Sequence, residues 1–332
     1  MEGVVLSALS RHERTSHSSH ARHPMDLHDL DHCTSWLQAN SIEKSTVKGY
    51  MTGTCDYLNF CTAYSLSIDP TPQTLACYIS YTSRFIASGL KYLSRVRHFL
   101  ADIYPDFDAN CMDPLVRSVI RGSKKIHADP ISQKLPLRLH HLSTFVVHAQ
   151  ASKSYDDLLF ATMVSCSLYG CHQVGELVQK NNKSLFDWRK VIKHSSLIFS
   201  NGCVQYRLPY HKCDPFYHGT DILFTSQEVA DLVSLLASYM LLRDQLHGTA
   251  TSLFLHEDGS QPTRSWFEAK FFSVLDHSFG GHSLRAGGAT FYASLGLSED
   301  IIQALGCWSS TAWKIYICEN PIICAELQLA AI

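Results

Sequence analysis

The sequence predicts a mainly α-helical protein with a small antiparallel β-sheet confined to its second half. Three observations carry this expectation. Apolar residues recur at steps of three and four over most of the chain. The pattern switches to short extended runs around Asn201-Gly202. Residues 128–137 combine two prolines with modest polarity and no period, which marks a linker. The linker divides the chain into an N-terminal helical domain, 26–127, and a second domain, 138–332, and 332 residues suffice for a core in each.

Residues 1–25 are rich in His, Ser and Arg without apolar periodicity and read as a disordered tail. His17, His20 and His23 in that tail have no neighbours to orient them as ligands, so no metal is expected. In the first domain Val47, Tyr50, Met51, Thr54, Leu58 and Cys61 mark an amphipathic helix. Pro70 and Pro72 end it and open the next, Leu75 to Ile86. A third helix, Leu90 to Ile103, sets Lys91, Arg95 and His98 along one side and Leu93, Val96 and Leu100 along another. Pro114 to Lys125 forms a fourth, with Gly122 and a basic end. The second domain opens with helices, among them the apolar Leu158 to Tyr169. Ser196 to Ser200 and Cys203 to Tyr210 flank Asn201-Gly202 as a hairpin with a type I′ turn, and Asp221 to Phe224 adds a third strand. Helices resume from Glu228; Ser298 to Gly306 has acids in its first turn and a glycine stop. Ser309-Ser310 then caps a helix carrying Trp313 and Tyr316.

Hydrophobic content of 45% and charged content of 17% describe a folded chain. The longest nearly apolar run, Leu232 to Leu242, is too short to span a bilayer, so no membrane role is expected. The formal charge of −2 falls short of a dedicated nucleic-acid binder, but it hides a local patch. From Arg84 to Arg138 ten Lys or Arg face five Asp, and Lys91, Arg95, Arg97, Arg121, Lys124 and Lys125 could follow a phosphate backbone; a solvated helix surface is the plain alternative. Twelve cysteines without a disulfide-framework spacing, with no C-x-x-C and no secretory N-terminus, predict reduced thiols in an intracellular compartment.

Four short segments could carry chemistry. Lys212 follows the second strand, where its ammonium could neutralise phosphate charge or give a proton to a leaving oxygen. His282 and Arg285, three apart, share a helix face and can reach one anion. Gly280 and Gly281 would permit unusual angles before that helix. Gly287 and Gly288 lie inside it at roughly 1 kcal/mol each relative to alanine, which implies a close approach to the backbone. Trp308 sits on a tight turn, and Tyr316 follows eight residues later. Read singly, each signal is weak: a turn lysine is ordinarily solvated, and a helical tyrosine is ordinarily core or interface.

In order, these segments are specific. Lys-x-Asp-Pro-Phe at Lys212 to Phe216, His-x-x-Arg at His282 to Arg285, Leu-Gly-x-Trp-Ser-Ser at Leu305 to Ser310 and the terminal Tyr316 resemble the tyrosine recombinases, most closely those of eukaryotic Crypton and DIRS mobile elements. The resemblance covers roughly residues 40–320, and the first domain, with Tyr92 to Arg97, is similar to the core-binding domain that closes a C-shaped clamp on DNA. It implies a nuclear DNA-recombination and DNA-integration protein that acts on double-stranded DNA as a homo-oligomer, through a 3′-phosphotyrosyl link and without metal or cofactor. By that resemblance Tyr316 is the nucleophile, Lys212 the general acid, Arg285 a phosphate clamp, His282 its proton-handling partner and Trp308 the wall of the site. The apolar segment 317–332 would pack on a neighbouring protomer or on its own domain.

One position departs. In Gly170 to Leu177 the family carries arginine where this chain has Gln173, three before the supporting Glu176. A neutral amide replaces a permanently charged planar fork, so cleavage should be impaired. Two readings share fold and partner: a working or feeble strand transferase of a mobile element, and a decayed or domesticated relative that binds DNA without cutting it. A helical interaction protein with chance motifs is the third.

Overall fold

The computed structural model of the protein describes residues 26–85, 89–126 and 134–314. The tail histidines, Tyr316 and segment 317–332 lie outside the described residues. The chain divides into two compact units, Met1–Ile131 and Ser132–Ile332.

The first unit contains α1 (Leu27–Ala39), α2 (Lys44–Ala63), α3 (Pro72–Ser83), α4 (Gly89–Leu100), α5 (Phe107–Cys111) and α6 (Pro114–Ile126). Its core is aromatic: Tyr57, Phe60, Tyr78 and Phe107 pack with Leu75, Ile79, Val96 and Val116. Tyr57 meets Tyr78 edge to face at 5.0 Å, and both hydroxyls find acceptors, at the Ile68 carbonyl and Asp56. Thr71 caps α3 through the Thr74 amide, with Pro72 in its first turn. The expected helices are thus present with ends moved by a few residues. Helix α1 buries no side chain, and α5 is a single turn.

The second unit contains α7 (Leu139–Ser152), α8 (Tyr155–Tyr169), α9 (Val174–Leu177), β1 (Ile198–Ser200), β2 (Cys203–Leu208), β3 (Thr220–Thr225), α10 (Leu232–His247), α11 (Arg264–Phe272), α12 (Gly281–Ser294) and α13 (Glu299–Leu305). Helix α8 is buried on almost every side and packs against α7, α10 and α12, as its unbroken apolar sequence requires. The strands form one antiparallel sheet in the order β1-β2-β3. Val204 pairs with Phe224 and Tyr206 with Ile222, and Val204, Tyr206 and Leu208 turn inward. Asn201 and Gly202 take φ of 36° and 78°, the left-handed pair that a type I′ turn needs. Lys134 to Leu137, the end of the expected linker, belong to this packing: Leu137 is buried and its amide donates to the Ser283 carbonyl.

One expectation for the glycines is corrected and one is met. Gly280 has extended backbone angles open to any residue and Gly281 is helical, so neither supplies an unusual conformation. Gly287 and Gly288 do mark a close approach, but what approaches is the protein's own main chain. A Cβ on Gly287 would lie 2.3 Å from the Leu137 carbonyl oxygen, and one on Gly288 2.1 Å from that of Leu168. Helix α12 is thereby seated hard against α8 and the entry strand. We expect Gly288→Ala to destabilise the protein by about 1–3 kcal/mol or more through overpacking. Gly122→Ala, in α6 with nothing near its Cβ, should stabilise it by about 0.5–1 kcal/mol. Chemical denaturation of the two variants checks the opposite signs.

Candidate active site

The site is organised around Arg285, which α12 presents one turn from its start. The side chain is only 6% exposed. Its Nη1 donates to the Cys171 carbonyl at 3.0 Å and its Nη2 to the Gly306 carbonyl, while the guanidinium lies over the Trp308 ring at 4.3 Å. Two main-chain acceptors and a π face hold the buried cation. Both acceptors border strained backbone, since Cys171 (φ 49°) and Cys307 (φ 50°) are non-glycine residues in the left-handed region, at roughly 1–2 kcal/mol each.

Trp308 is fixed by reciprocal bonds with Gln303: its amide donates to the Gln303 carbonyl, and the Gln303 side chain donates to the Trp308 carbonyl. Gly306 ends α13 as the expected glycine stop, with φ −88°, ordinary for any residue. It is glycine for space, because a Cβ there would sit 1.8 Å from the Trp308 ring. The following segment is a short 3₁₀ turn, Thr311–Trp313, with Trp313 buried.

His282 projects from the first turn of α12 and remains exposed. Partial desolvation, with the charges of Arg285 and Arg264, holds its imidazole below the usual histidine range. Ser283 closes the helix start by accepting from the Gly280 amide at 2.9 Å.

Gln173 stands at the N-cap of α9, its side chain half-buried. Glu176 accepts from the Gln173 amide at 3.0 Å and from His172 Nδ1 at 3.2 Å. His172, 2% exposed, meets the Tyr206 hydroxyl through Nε2 at 2.7 Å. With the proton on Nδ1 the ring donates to Glu176 and accepts from Tyr206, a tautomer assigned from the bonding pattern. His172 is therefore committed to a buried chain that ties this turn to β2. It is not free to turn toward Arg285.

Lys212 lies in the β2–β3 connection and is exposed. Asp214 pins that loop: it accepts from the Gly219 amide at 2.7 Å and the His218 amide at 3.2 Å, and its own amide donates to the His211 carbonyl. The Cys307 thiol, next to Trp308, is raised by burial and by Glu176. His282, Arg285, Trp308 and the Gln173 turn converge, while Lys212 stays on its exposed loop.

One further cation, unmarked by any motif, is present. Arg264 opens α11, and its Nη2 and Val174 Cγ2 both lie within 4 Å of the point where a Cβ on Gly281 would be. In the first unit Lys91, Arg121, Lys124 and Lys125 are exposed. Arg97 is exposed too and makes a two-pronged pair with Asp108, at 2.6 Å from Nε. Arg95 packs its stem on Gly53 and lays its guanidinium over Tyr92 at 4.6 Å. Among the described residues no cluster suits a metal ion, no helix is long and apolar enough to cross a membrane, and the cysteines are free thiols.

We expect Gly306→Ala to push the indole off Arg285 and destabilise the protein by about 1–3 kcal/mol. Near-ultraviolet circular dichroism of the tryptophans and thermal unfolding measure the two effects.

No protein-family model matches the sequence, and no curated protein matches it. Solved structures do. A lambda integrase dimer bound to a core site aligns over 88% of this chain and 95% of that one, at 14% identity and a TM-score of 0.49. The Tn1549 transposon integrase in complex with transposon right end DNA gives a TM-score of 0.51 at 13% identity, over 79% of this chain and 85% of that one. The same integrase in complex with a circular intermediate DNA gives 0.50 at 13% identity, over 80% and 87%. On the Tn1549 comparisons, the chain has the mainly helical, small-sheet fold of the tyrosine recombinases and integrases.

Proposed function

We propose that this chain is a tyrosine-recombinase-like protein that binds duplex DNA and holds one backbone phosphate at the start of α12, with strand cleavage weakened at Gln173. The observation that carries the reading is the seating of Arg285 between two carbonyls and the Trp308 ring, beside His282, in a fold shared with integrases solved on DNA. Within the reading, Tyr316 Oη gives up its phenolic proton to solvent and attacks the phosphorus, and the bond from phosphorus to the 5′-oxygen breaks. Lys212 supplies the proton that the leaving oxygen takes up, and the products are a 3′-phosphotyrosyl link and a free 5′-hydroxyl. Arg285 and His282 stabilise charge on the non-bridging oxygens, and Trp308 walls the pocket. Lys91, Arg121, Lys124 and Lys125 supply phosphate contacts along the duplex, so binding weakens as salt rises. Strand exchange needs more than one such site, which favours an oligomer on DNA. The motif order favours descent from a Crypton- or DIRS-type element.

Gln173 decides how much chemistry survives. Loss of one preorganised donor costs roughly a hundred- to a thousandfold in rate, and loss of a charged one at a transferring phosphoryl group can cost more. That favours a form in which binding outlasts cutting. On nicked suicide duplexes the wild type should give a trace of covalent adduct, Gln173→Arg roughly a hundredfold more, and Tyr316→Phe none. A Gln173→Arg protein that binds DNA yet gains no adduct would sink the catalytic part of the reading.

The pH dependence of binding follows from His282. In the free protein its pKa lies below the ordinary 6.5. A bound phosphate favours the imidazolium and raises that pKa, so binding takes up a proton. Affinity for duplex DNA should therefore rise as pH falls from above 6.5 toward the lowered free-state value, and His282→Gln should abolish that increment. Fluorescence anisotropy across this range, at fixed salt, reads it.

A further inference from the structure

We propose that Arg264 supplies the cationic contact to the bound phosphate that Gln173 cannot provide. The inference deepens the preceding reading and rests on its assignment of a phosphate to the start of α12.

Main-chain pairing places Arg264. The segment leaving α9 and the segment entering α11 run side by side: Gln179 pairs with Thr263 in a parallel bridge, the Gln179 amide donates to the Pro262 carbonyl at 2.8 Å, and the Arg264 amide donates to the Gln179 carbonyl at 2.9 Å. The Ser265 amide adds a bond to the Asn181 side chain at 2.9 Å. Thr263 caps α11 through the Trp266 amide, which fixes where its first residue points. Arg264 is thus locked in register with the strand that issues from the Gln173 turn.

The side chain then reaches the site. Its Nη2 lies 3.6 Å from the Cβ position on Gly281, and Val174 Cγ2, on the residue after Gln173, lies 3.8 Å from that same point. Arg264 therefore fills the ground between the degenerate position and His282. Its Nε is held by Glu268 at 2.8 Å, an exposed i,i+4 pair that orients the guanidinium, while Nη2 extends toward α12.

Charge supplies the last step. His282, Arg285 and Arg264 gather at one helix N-terminus, whose own dipole is positive. Burial first, and then the charges of Arg285 and Arg264, hold the His282 imidazole below its usual range, and an anion among the three groups would offset those charges. A tetrahedral phosphate diester is an anion that the Arg264 Nη2 and the imidazole suit, with the buried charge of Arg285 behind them. A bare ion pair between Arg264 and Glu268 would need no such neighbours.

The test uses the full chain and inorganic phosphate as the probe, with binding followed through the NMR signals of the His282 ring. The wild type should show a saturable shift. Arg264→Ala should weaken phosphate roughly tenfold or more, with Arg264→Lys in between. Gln173→Arg placed in the Arg264→Ala background should restore affinity, and Glu268→Gln should leave it unchanged or tighter. Without phosphate, His282 should titrate higher in Arg264→Ala. Because Arg264 is exposed and its structural bonds are made by its backbone, these variants keep the fold, which unfolding curves check. Equal phosphate affinity in Arg264→Ala and wild type overturns the proposal, as does a wild type that binds duplex DNA but gives no saturable phosphate shift. A wild type with no salt-dependent duplex binding overturns the preceding reading instead.

Discussion

The second unit depends on one buried cation. Arg285 is nearly inaccessible, and an unpaired guanidinium at such a place would cost several kcal/mol (about 3–5 by analogy with broken buried pairs). Its offsetting partners come from two distant points of the chain, the carbonyls of Cys171 and Gly306, with Trp308 covering its face. The end of α8, the start of α12 and the turn after α13 are therefore bound to one another through a single side chain. The two left-handed cysteines are the conformational cost of aiming both carbonyls inward.

Around that cation the packing leaves little freedom. Helix α12 reaches its depth because Gly287 and Gly288 let two carbonyl oxygens come where a methyl group would be. A helix that close to α8 sets the distance from its N-terminus to the α9 turn. The buried run from Tyr206 through His172 to Glu176 then fixes that turn against the sheet. The phosphate pocket we propose is thus built from groups that are rigid before any ligand arrives, which is what electrostatic stabilisation of a transferring phosphoryl group requires.

Much of this was readable in the chain. An apolar run with no polar face could only be a central helix, as α8 is, and Asn-Gly between β-rich runs could only be a tight hairpin. Helices α1 and α5 left no trace, because one buries nothing and the other is a single turn. The glycines were legible as close approaches but not as to what approaches: a sequence shows that space is needed, and only the fold shows that Leu137, Leu168 and Trp308 occupy it. His282, Arg285 and Trp308 announced themselves by spacing. Arg264 could not, since its place depends on a bridge between Gln179 and Thr263, segments with no local pattern in common. Arg97 looked like its neighbours on paper and pairs with Asp108.

The walls that grip Arg285 are largely peptide groups, and a peptide group is the same whatever side chain it carries. Such a cradle is indifferent to most substitutions among the residues that form it, provided the glycines stay small. A side chain that lines the pocket, such as that at position 173, can therefore change without loosening the cradle or unfolding the domain.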